Sequence, residues 1–208
     1  MNASAVNLVS TSTIPAQTLP PVALDSKRGT GGMILFIITE AALFVVLFFA
    51  YFYLQRGRPN WVTAPPEVKP ALVMLAVFIL SSIALFWGES RLRAGSESAA
   101  RASIYVTILL GLVFIVLQMF EYRNRLKIIT PTSDAYGSMF YTITTIHGAH
   151  VVLGMLMLGY VALLPRLEPA AKPPHRPMRN AGLYWHFVHA VWIVIVVLLY
   201  VMPNMGAR

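Results

Sequence analysis

Residues 33–54 read MILFIITEAALFVVLFFAYFYL, a stretch in which Glu40 is the only charged side chain. An α-helix rises about 1.5 Å per residue, so about 20 apolar residues cross the hydrocarbon core of a bilayer, which is roughly 30 Å thick. Each of the later apolar stretches is longer than a strand of a membrane barrel, and none alternates with a period of two. The sequence therefore predicts an all-α, polytopic membrane bundle of five transmembrane helices within residues 33–203. The four later stretches are at about residues 70–88, 102–122, 136–164 and 182–202.

The composition agrees with a membrane protein and excludes several other classes. Of the 208 residues, 57% are hydrophobic and 12% are charged, whereas a soluble domain carries about 25% charged residues. The formal net charge is +8, but the basic residues lie at the ends of the apolar stretches, beside lipid headgroups, so we expect no nucleic-acid partner. The chain contains no cysteine, which excludes disulfides, cysteine-ligated zinc and iron–sulfur clusters.

Residues 1–32 precede the first apolar stretch. A secretory signal has basic residues first, then an apolar segment, then a cleavage site of small residues. Residues 1–24 instead carry no charge and are rich in Ser, Thr, Pro and Ala. We therefore expect residues 1–32 to form a flexible N-terminal tail.

The basic residues also predict the orientation of the chain, because cytoplasmic loops carry an excess of Lys and Arg. An inside N-terminus places nine basic residues at the inner face and seven at the outer face. This predicts an N-terminus inside and a C-terminus outside. The inner set is Lys27, Arg28, Arg91, Arg93, Arg101, Arg166, Lys172, Arg176 and Arg179, and the outer set is Arg56, Arg58, Lys69, Arg123, Arg125, Lys127 and Arg208.

Polar side chains within the predicted helices are candidates for function, because an ionisable group at the bilayer centre costs about 2.5–3.5 kcal/mol. Glu40 is either a functional acid or a protonated acid that is hydrogen-bonded to a neighbouring helix. Gln118 and Glu121 are three residues apart and share one face of the third helix. Glu121 lies at the end of that helix beside basic residues, which favours an interfacial salt bridge.

Four histidines form two pairs with i, i+3 spacing, His147 with His150 and His186 with His189. Such pairs can ligate a metal ion or a haem. By helical rise, His150 lies about 21 Å from the inner end of its helix and His189 about 10 Å, so the pairs are not level. We therefore expect no metal or cofactor site in this chain. The same arithmetic places Glu40 level with His186 and His189, and predicts a hydrogen bond from Glu40 to one of them between the first and fifth helices.

Four segments, taken together, resemble subunit III of the haem-copper terminal oxidases, the family of cytochrome c oxidase subunit III. The family pattern has an acid in the first segment, Q-x-x-E-Y in the second, H-G-x-H-V-x-x-G in the third and Y-W-H-F-V-D-x-V-W in the fourth. All four occur here in the family's order. They are TEAALFVVLFFAYFY (39–53), QMFEY (118–122), YGSMFYTITTIHGAHVVLG (136–154) and YWHFVHAVWIVIVVLLY (184–200).

Two features depart from the family pattern. His189 stands where the pattern has an aspartate, so an anionic role of that position is not expected here. No apolar stretch precedes Met33, whereas the longer family members have seven helices. The chain therefore resembles the five-helix form of the family.

The resemblance implies a subunit without catalytic residues and without a bound metal or cofactor, next to a catalytic subunit I that holds haem and copper. Family members bind phospholipid in a cleft between helices, support proton uptake by the catalytic subunit and protect the oxidase during turnover. The implied location is the bacterial cytoplasmic membrane. The polar positions to which a lipid- or proton-related role is carried over are Glu40, Gln118, Glu121, His147, His150 and His186, with His189 beside them.

Two other interpretations stay open. The five-helix form also occurs in quinol oxidases and as an accessory protein of nitric oxide reductase, although the acid at position 40 favours a cytochrome c oxidase. A membrane cytochrome that uses its own histidine pairs is the second alternative. A visible absorption spectrum of the isolated chain separates this second alternative from the others.

Overall fold

The computed structural model describes residues 26–58, 61–62, 64–164 and 176–205. Five long helices dominate it, and each is long and apolar enough to cross a membrane. The predicted all-α bundle of five transmembrane helices is confirmed. The helices are α1 (Ser26–Gln55), α2 (Val68–Arg93), α3 (Glu97–Arg125), α4 (Ala135–Leu163) and α5 (Arg176–Ile195), which continues through a π-helical segment (Val196–Val201) into the short α6 (Met202–Met205).

The helices extend beyond the apolar stretches. Helix α1 begins at Ser26 instead of Met33, and α5 begins at Arg176 instead of Gly182. The predicted boundary of the N-terminal tail is therefore wrong for residues 26–32, while residues 1–25 lie outside the described part of the chain. The physical reason is that apolarity marks the hydrocarbon core, whereas a helix also satisfies its backbone hydrogen bonds in the headgroup layer.

Four of the helices form a closed bundle. Helix α2 packs along α3, α3 along α4, α4 along α5, and α5 returns to α2. Helix α1 lies outside this bundle and packs against α4 and α5. Most of its large apolar side chains are exposed, among them Val45, Val46 and Phe49. Exposed apolar surface of this extent is suited to lipid or to a neighbouring membrane protein.

Aromatic side chains fill the centre of the bundle. The rings of Phe78 and Phe114 stack between α2 and α3, with their centroids 4.1 Å apart. The indole of Trp185 on α5 lies between two glycines: a Cβ atom at Gly111 on α3 or at Gly154 on α4 would each lie 2.9 Å from the indole. The two glycines therefore let α3, α4 and α5 approach one another closely around one large ring.

Candidate functional site

The clearest polar contact in the middle of the membrane joins α1 to α4. The Oε2 atom of Glu40 lies 2.8 Å from Nε2 of His150, and Nδ1 of His150 lies 2.7 Å from the carbonyl oxygen of Ile146. The side chains of His150 and Glu40 are 11% and 23% exposed. By helical rise, Glu40 is about 16 Å from the start of its span at Gly29, and His150 is about 20 Å from the end of its span at Leu163. The two groups are therefore nearly level, close to the membrane centre.

The predicted hydrogen bond from Glu40 to His186 or His189 is wrong. Glu40 bonds to His150 on α4 instead. The prediction failed because it placed His150 at a different depth from Glu40. Helix α1 begins at Ser26, which brings Glu40 level with His150 as well, and the Glu40 side chain bonds to α4. Seven and six more residues before the predicted helix starts add about 10 Å to the depth of Glu40 and of both α5 histidines.

The carbonyl contact fixes the tautomer of His150. A carbonyl oxygen only accepts hydrogen bonds, so Nδ1 of His150 carries a proton and donates it to Ile146. The Nε2 atom then either accepts a proton from a neutral Glu40 or donates one to the Glu40 carboxylate. In both arrangements one proton lies between the two residues, and the pair has no net charge.

His147 is completely enclosed by aromatic rings. It has no exposed surface, and among the described residues neither of its ring nitrogens has a hydrogen-bond partner. The ring of Trp192 stacks on it with centroids 5.1 Å apart. The edges of three more rings complete the enclosure, those of Phe44, Phe78 and Phe114.

Two serines on α2 hold polar groups of α5. The Oγ atom of Ser82 lies 2.6 Å from Nδ1 of His189, and Trp185 donates from Nε1 to Oγ of Ser81 at 3.1 Å. The Nε2 atom of His189 is buried without a partner among the described residues. His186 is half-buried and takes part in no hydrogen bond between described residues.

Gln118 belongs to a hydrogen-bond network between α3 and α4. Its Nε2 atom donates to the carbonyl oxygen of Thr144 at 2.8 Å and to the hydroxyl of Tyr122 at 3.1 Å. The Tyr122 hydroxyl donates in turn to Oγ1 of Thr144 at 2.6 Å. This network joins the two helices inside the apolar bundle, although Oε1 of Gln118 is buried without a partner among the described residues.

The salt bridge predicted for Glu121 is not formed among the described residues. Glu121 is 7% exposed, and Arg125, one helical turn further on, uses its guanidinium group elsewhere. Arg125 donates from Nη2 to the carbonyl oxygen of Ala64 at 3.0 Å and lies over the ring of Phe140 at 5.0 Å. The prediction was wrong because the loop before α2 folds back over this end of α3 and supplies a competing acceptor.

The positions of the histidines bear on the predicted absence of a metal or haem site. Among residues 26–58, 61–62, 64–164 and 176–205, no group of three or more His, Asp and Glu side chains lies close enough to share a metal ion. Both ring nitrogens of His150 are engaged, and His147 is buried against four aromatic rings. The predicted difference in depth between His150 and His189 is wrong, because His189 lies about 18 Å from Pro177, where its span starts, and is level with His150.

Several site residues were not found from the sequence. Ser82, Tyr122 and Thr144 complete the polar contacts between helices. A weak signal was present for Ser82, because Ser81 and Ser82 are adjacent polar residues in an otherwise apolar stretch. The partners of these groups lie on other helices and are visible only in the folded chain.

Comparison with known proteins finds similarity over nearly the whole chain. The family model of cytochrome c oxidase subunit III matches residues 21–204. Cytochrome c oxidase subunit 3 of Synechocystis is 32% identical over 179 residues, which are 82% of this chain and 74% of that protein. The subunit 3 of Xenopus laevis is 33% identical over 190 residues, 87% of this chain and 71% of that protein. The subunit 3 of Danio rerio is 30% identical over 203 residues, 93% of this chain and 76% of that protein. The family match extends over nearly all of the five described spans.

Proposed function

Because this chain belongs to the cytochrome c oxidase subunit III family, we propose that it is the non-catalytic subunit III of a proton-pumping haem-copper terminal oxidase. In this role it lies beside catalytic subunit I in a bacterial cytoplasmic membrane, with its N-terminus inside. The observation that carries the proposal is the family match over residues 21–204, which contains all four motif segments and every polar candidate residue.

The absence of a catalytic role is supported by how the histidines are used. His150 is bonded through both nitrogens, and His147 is enclosed by four aromatic rings. His189 is bonded through Nδ1 to Ser82. These residues do not fit a haem or a copper ion, so the redox centres belong to the partner subunits and this chain binds none of its own.

A contribution to phospholipid binding is supported by the exposed apolar surface. Helix α1 exposes most of its large side chains. An open, almost entirely apolar groove of about 360 Å³ lies between α4 and α5, lined by Leu156, Tyr160, Val161 and Ala181. A groove of this kind accommodates an acyl chain.

A contribution to proton uptake and turnover stability is assigned to the polar groups in the middle of the membrane. The Glu40–His150 pair holds one proton close to the lipid-facing side of the subunit, at the depth of the membrane centre, where the Glu40 side chain is 23% exposed. The groups assigned to this role with it are Gln118, Glu121, His147, His186 and His189. The enclosed and hydrogen-bonded members maintain the helix packing that positions Glu40.

The test is a purification of the complex through a tag on this chain. A mild-detergent eluate is examined by visible absorption spectroscopy, metal analysis and oxidation of cytochrome c or of a quinol, and the chain is then separated from its partners. The proposal expects haem, copper and cytochrome c oxidation in the complex, and colour that leaves with the larger partner. Retention of haem or metal by the isolated chain contradicts the proposal. If the complex oxidises a quinol but not cytochrome c, the chain is instead a subunit of a quinol oxidase.

A further inference from the structure

Helix α1 is attached to the rest of the subunit by few contacts. Only 6% of the residues in its most apolar segment are buried, against 33–44% in the other four spans. Its buried large side chains are Phe44 and Tyr51. Apolar contacts alone specify the position of such a helix poorly, because lipid tails are as apolar as the side chains of the bundle.

The position of α1 therefore depends on a few directional contacts, two of them polar and one aromatic. At the level of Gly29, the side-chain amide of Asn180 donates to the Gly29 carbonyl oxygen across 3.4 Å, which is long for a hydrogen bond. Near the opposite end, the ring of Tyr51 packs against the edge of Trp61, with centroids 5.7 Å apart. The short side-chain hydrogen bond from α1 to the bundle is the 2.8 Å contact between Glu40 and His150.

We propose that His150 is the positioning residue for Glu40 and that the two form a net-neutral pair with one shared proton, which attaches α1 to α4 at the membrane centre. The carbonyl of Ile146 accepts the Nδ1 proton and so presents Nε2 to Glu40. A pair that is neutral in either arrangement of its proton avoids the cost of a net charge at this depth. The ring of Phe44 packs edge-on against His150, with centroids 4.9 Å apart, and covers one side of the pair.

The proposal makes a non-additive prediction. Glu40→Leu leaves Nε2 of His150 without its partner, and His150→Leu leaves the Glu40 carboxyl group without its partner, in each case in an apolar environment. In the double variant both polar groups are absent, so the penalty disappears. Two residues that acted independently would instead give a double variant more disturbed than either single variant, because their separate effects would add.

The chain has no cysteine, so spin labels can be placed without background. Labels are attached to cysteines introduced at Val46 on α1 and Leu109 on α3, both of which are exposed, and the full chain is reconstituted in lipid nanodiscs. Distances between the labels are measured by pulsed electron paramagnetic resonance. We expect a single narrow distance distribution in the parent chain and a broadened one in each single leucine variant. Glu40→Leu/His150→Leu is expected to be no broader than either single variant, because it lacks the same attachment but leaves no unpaired polar group. Unchanged single variants, or a double variant broader than both, would overturn the proposal.

A second measurement does not depend on how well the leucine variants fold. In chain labelled with ¹⁵N-histidine, the signals of His150 are assigned by their loss in His150→Gln. We expect Nδ1 of His150 to be protonated both in the parent chain and in Glu40→Gln, because Ile146 is its acceptor in each. The Nε2 resonance alone shifts in Glu40→Gln, because a glutamine amide donates where the shared proton lay. An unprotonated Nδ1 in the parent chain contradicts the proposed tautomer and with it the single shared proton.

Discussion

Arg101 on α3 caps the C-terminal end of α4 by donating from Nη1 to the carbonyl oxygen of Ala162 at 2.6 Å. Its Nη2 atom donates to the carbonyl oxygen of Leu164 at 2.5 Å and to Oε1 of Glu97 at 2.8 Å. The last carbonyl groups of a helix have no partner within the helix and carry a partial negative charge. The Arg101 guanidinium group supplies hydrogen-bond donors to these carbonyl groups and a positive charge opposite their partial negative charge. It thereby joins the ends of α3 and α4 at one face of the membrane.

Replacement of Arg101 by methionine removes this cap while keeping the apolar stem of the side chain. Two carbonyl groups lose their charged donor, and we expect a loss of about 1–3 kcal/mol in stability. The measurement is the midpoint of thermal unfolding of the subunit in detergent. Arg123→Met is the matched control, because Arg123 is exposed on the same helix. Equal midpoints for the two variants contradict a capping role for Arg101.

Gly154 is predicted to tolerate no side chain. A Cβ atom at this position would lie 2.9 Å from Cε3 and 3.2 Å from Cζ3 of Trp185, so Gly154→Ala forces the ring of Trp185 or the backbone of α4 to move. Overpacking of this kind costs about 1–3 kcal/mol. Gly159→Ala is the control on the same helix, since nothing lies within 4 Å of its Cβ position, and the better helix former is expected to raise stability by about 0.5–1 kcal/mol. Thermal unfolding of both variants checks the opposite signs.

The fold could be predicted from the sequence because the apolar stretches have the length that a helix needs to cross a membrane. The pairing of polar groups was not. Glu40 is seven residues into the apolar stretch that begins at Met33, but the helix begins at Ser26. An error of seven residues at a helix start changes the depth of a side chain by about 10 Å, which wrongly placed His150 out of reach of Glu40. Among the histidines that are level with Glu40, the partner is decided by the direction in which the side chains face, and the sequence does not show this direction.

The surroundings of His147 show a second limit. Its type and its i, i+3 relation to His150 are visible in the sequence and are typical of a ligand pair. The rings that enclose it come from four different helices, and nothing local predicts their convergence. These rings are Phe44 on α1, Phe78 on α2, Phe114 on α3 and Trp192 on α5.

Ser82 is predicted to stabilise the folded chain by pairing with the ring of His189 inside the bundle. In Ser82→Ala the Nδ1 atom of His189 loses its 2.6 Å contact, and Nε2 already has no partner among the described residues. Leaving a buried polar ring unpaired costs about 1–3 kcal/mol, and replacing both partners in Ser82→Ala/His189→Phe is expected to recover most of it. Ser90→Ala is the control, because the Ser90 hydroxyl bonds to the Trp87 carbonyl within its own helix. Thermal midpoints are compared for the parent, Ser82→Ala, His189→Phe, the double variant and Ser90→Ala. Additive losses in the double variant contradict the pairing.

Glu40→Gln separates the position of the Glu40 side chain from its proton. A glutamine amide donates to Nε2 of His150 and keeps α1 in place, but it has no proton to exchange with that ring. If the proposed role in proton uptake holds, the oxidase that contains Glu40→Gln keeps its haem spectrum, because the proposed function assigns the haem to a partner subunit, and loses activity after fewer turnovers than the parent. Oxygen consumption followed over many turnovers measures the decline, with Thr39→Val as control, since Thr39 is exposed and bonds to its own helix at the Phe36 carbonyl. A changed haem spectrum in Glu40→Gln would place Glu40 at a redox centre. If activity declines equally fast in Glu40→Gln and Thr39→Val, Glu40 has no role in proton uptake and serves only to attach α1 to α4.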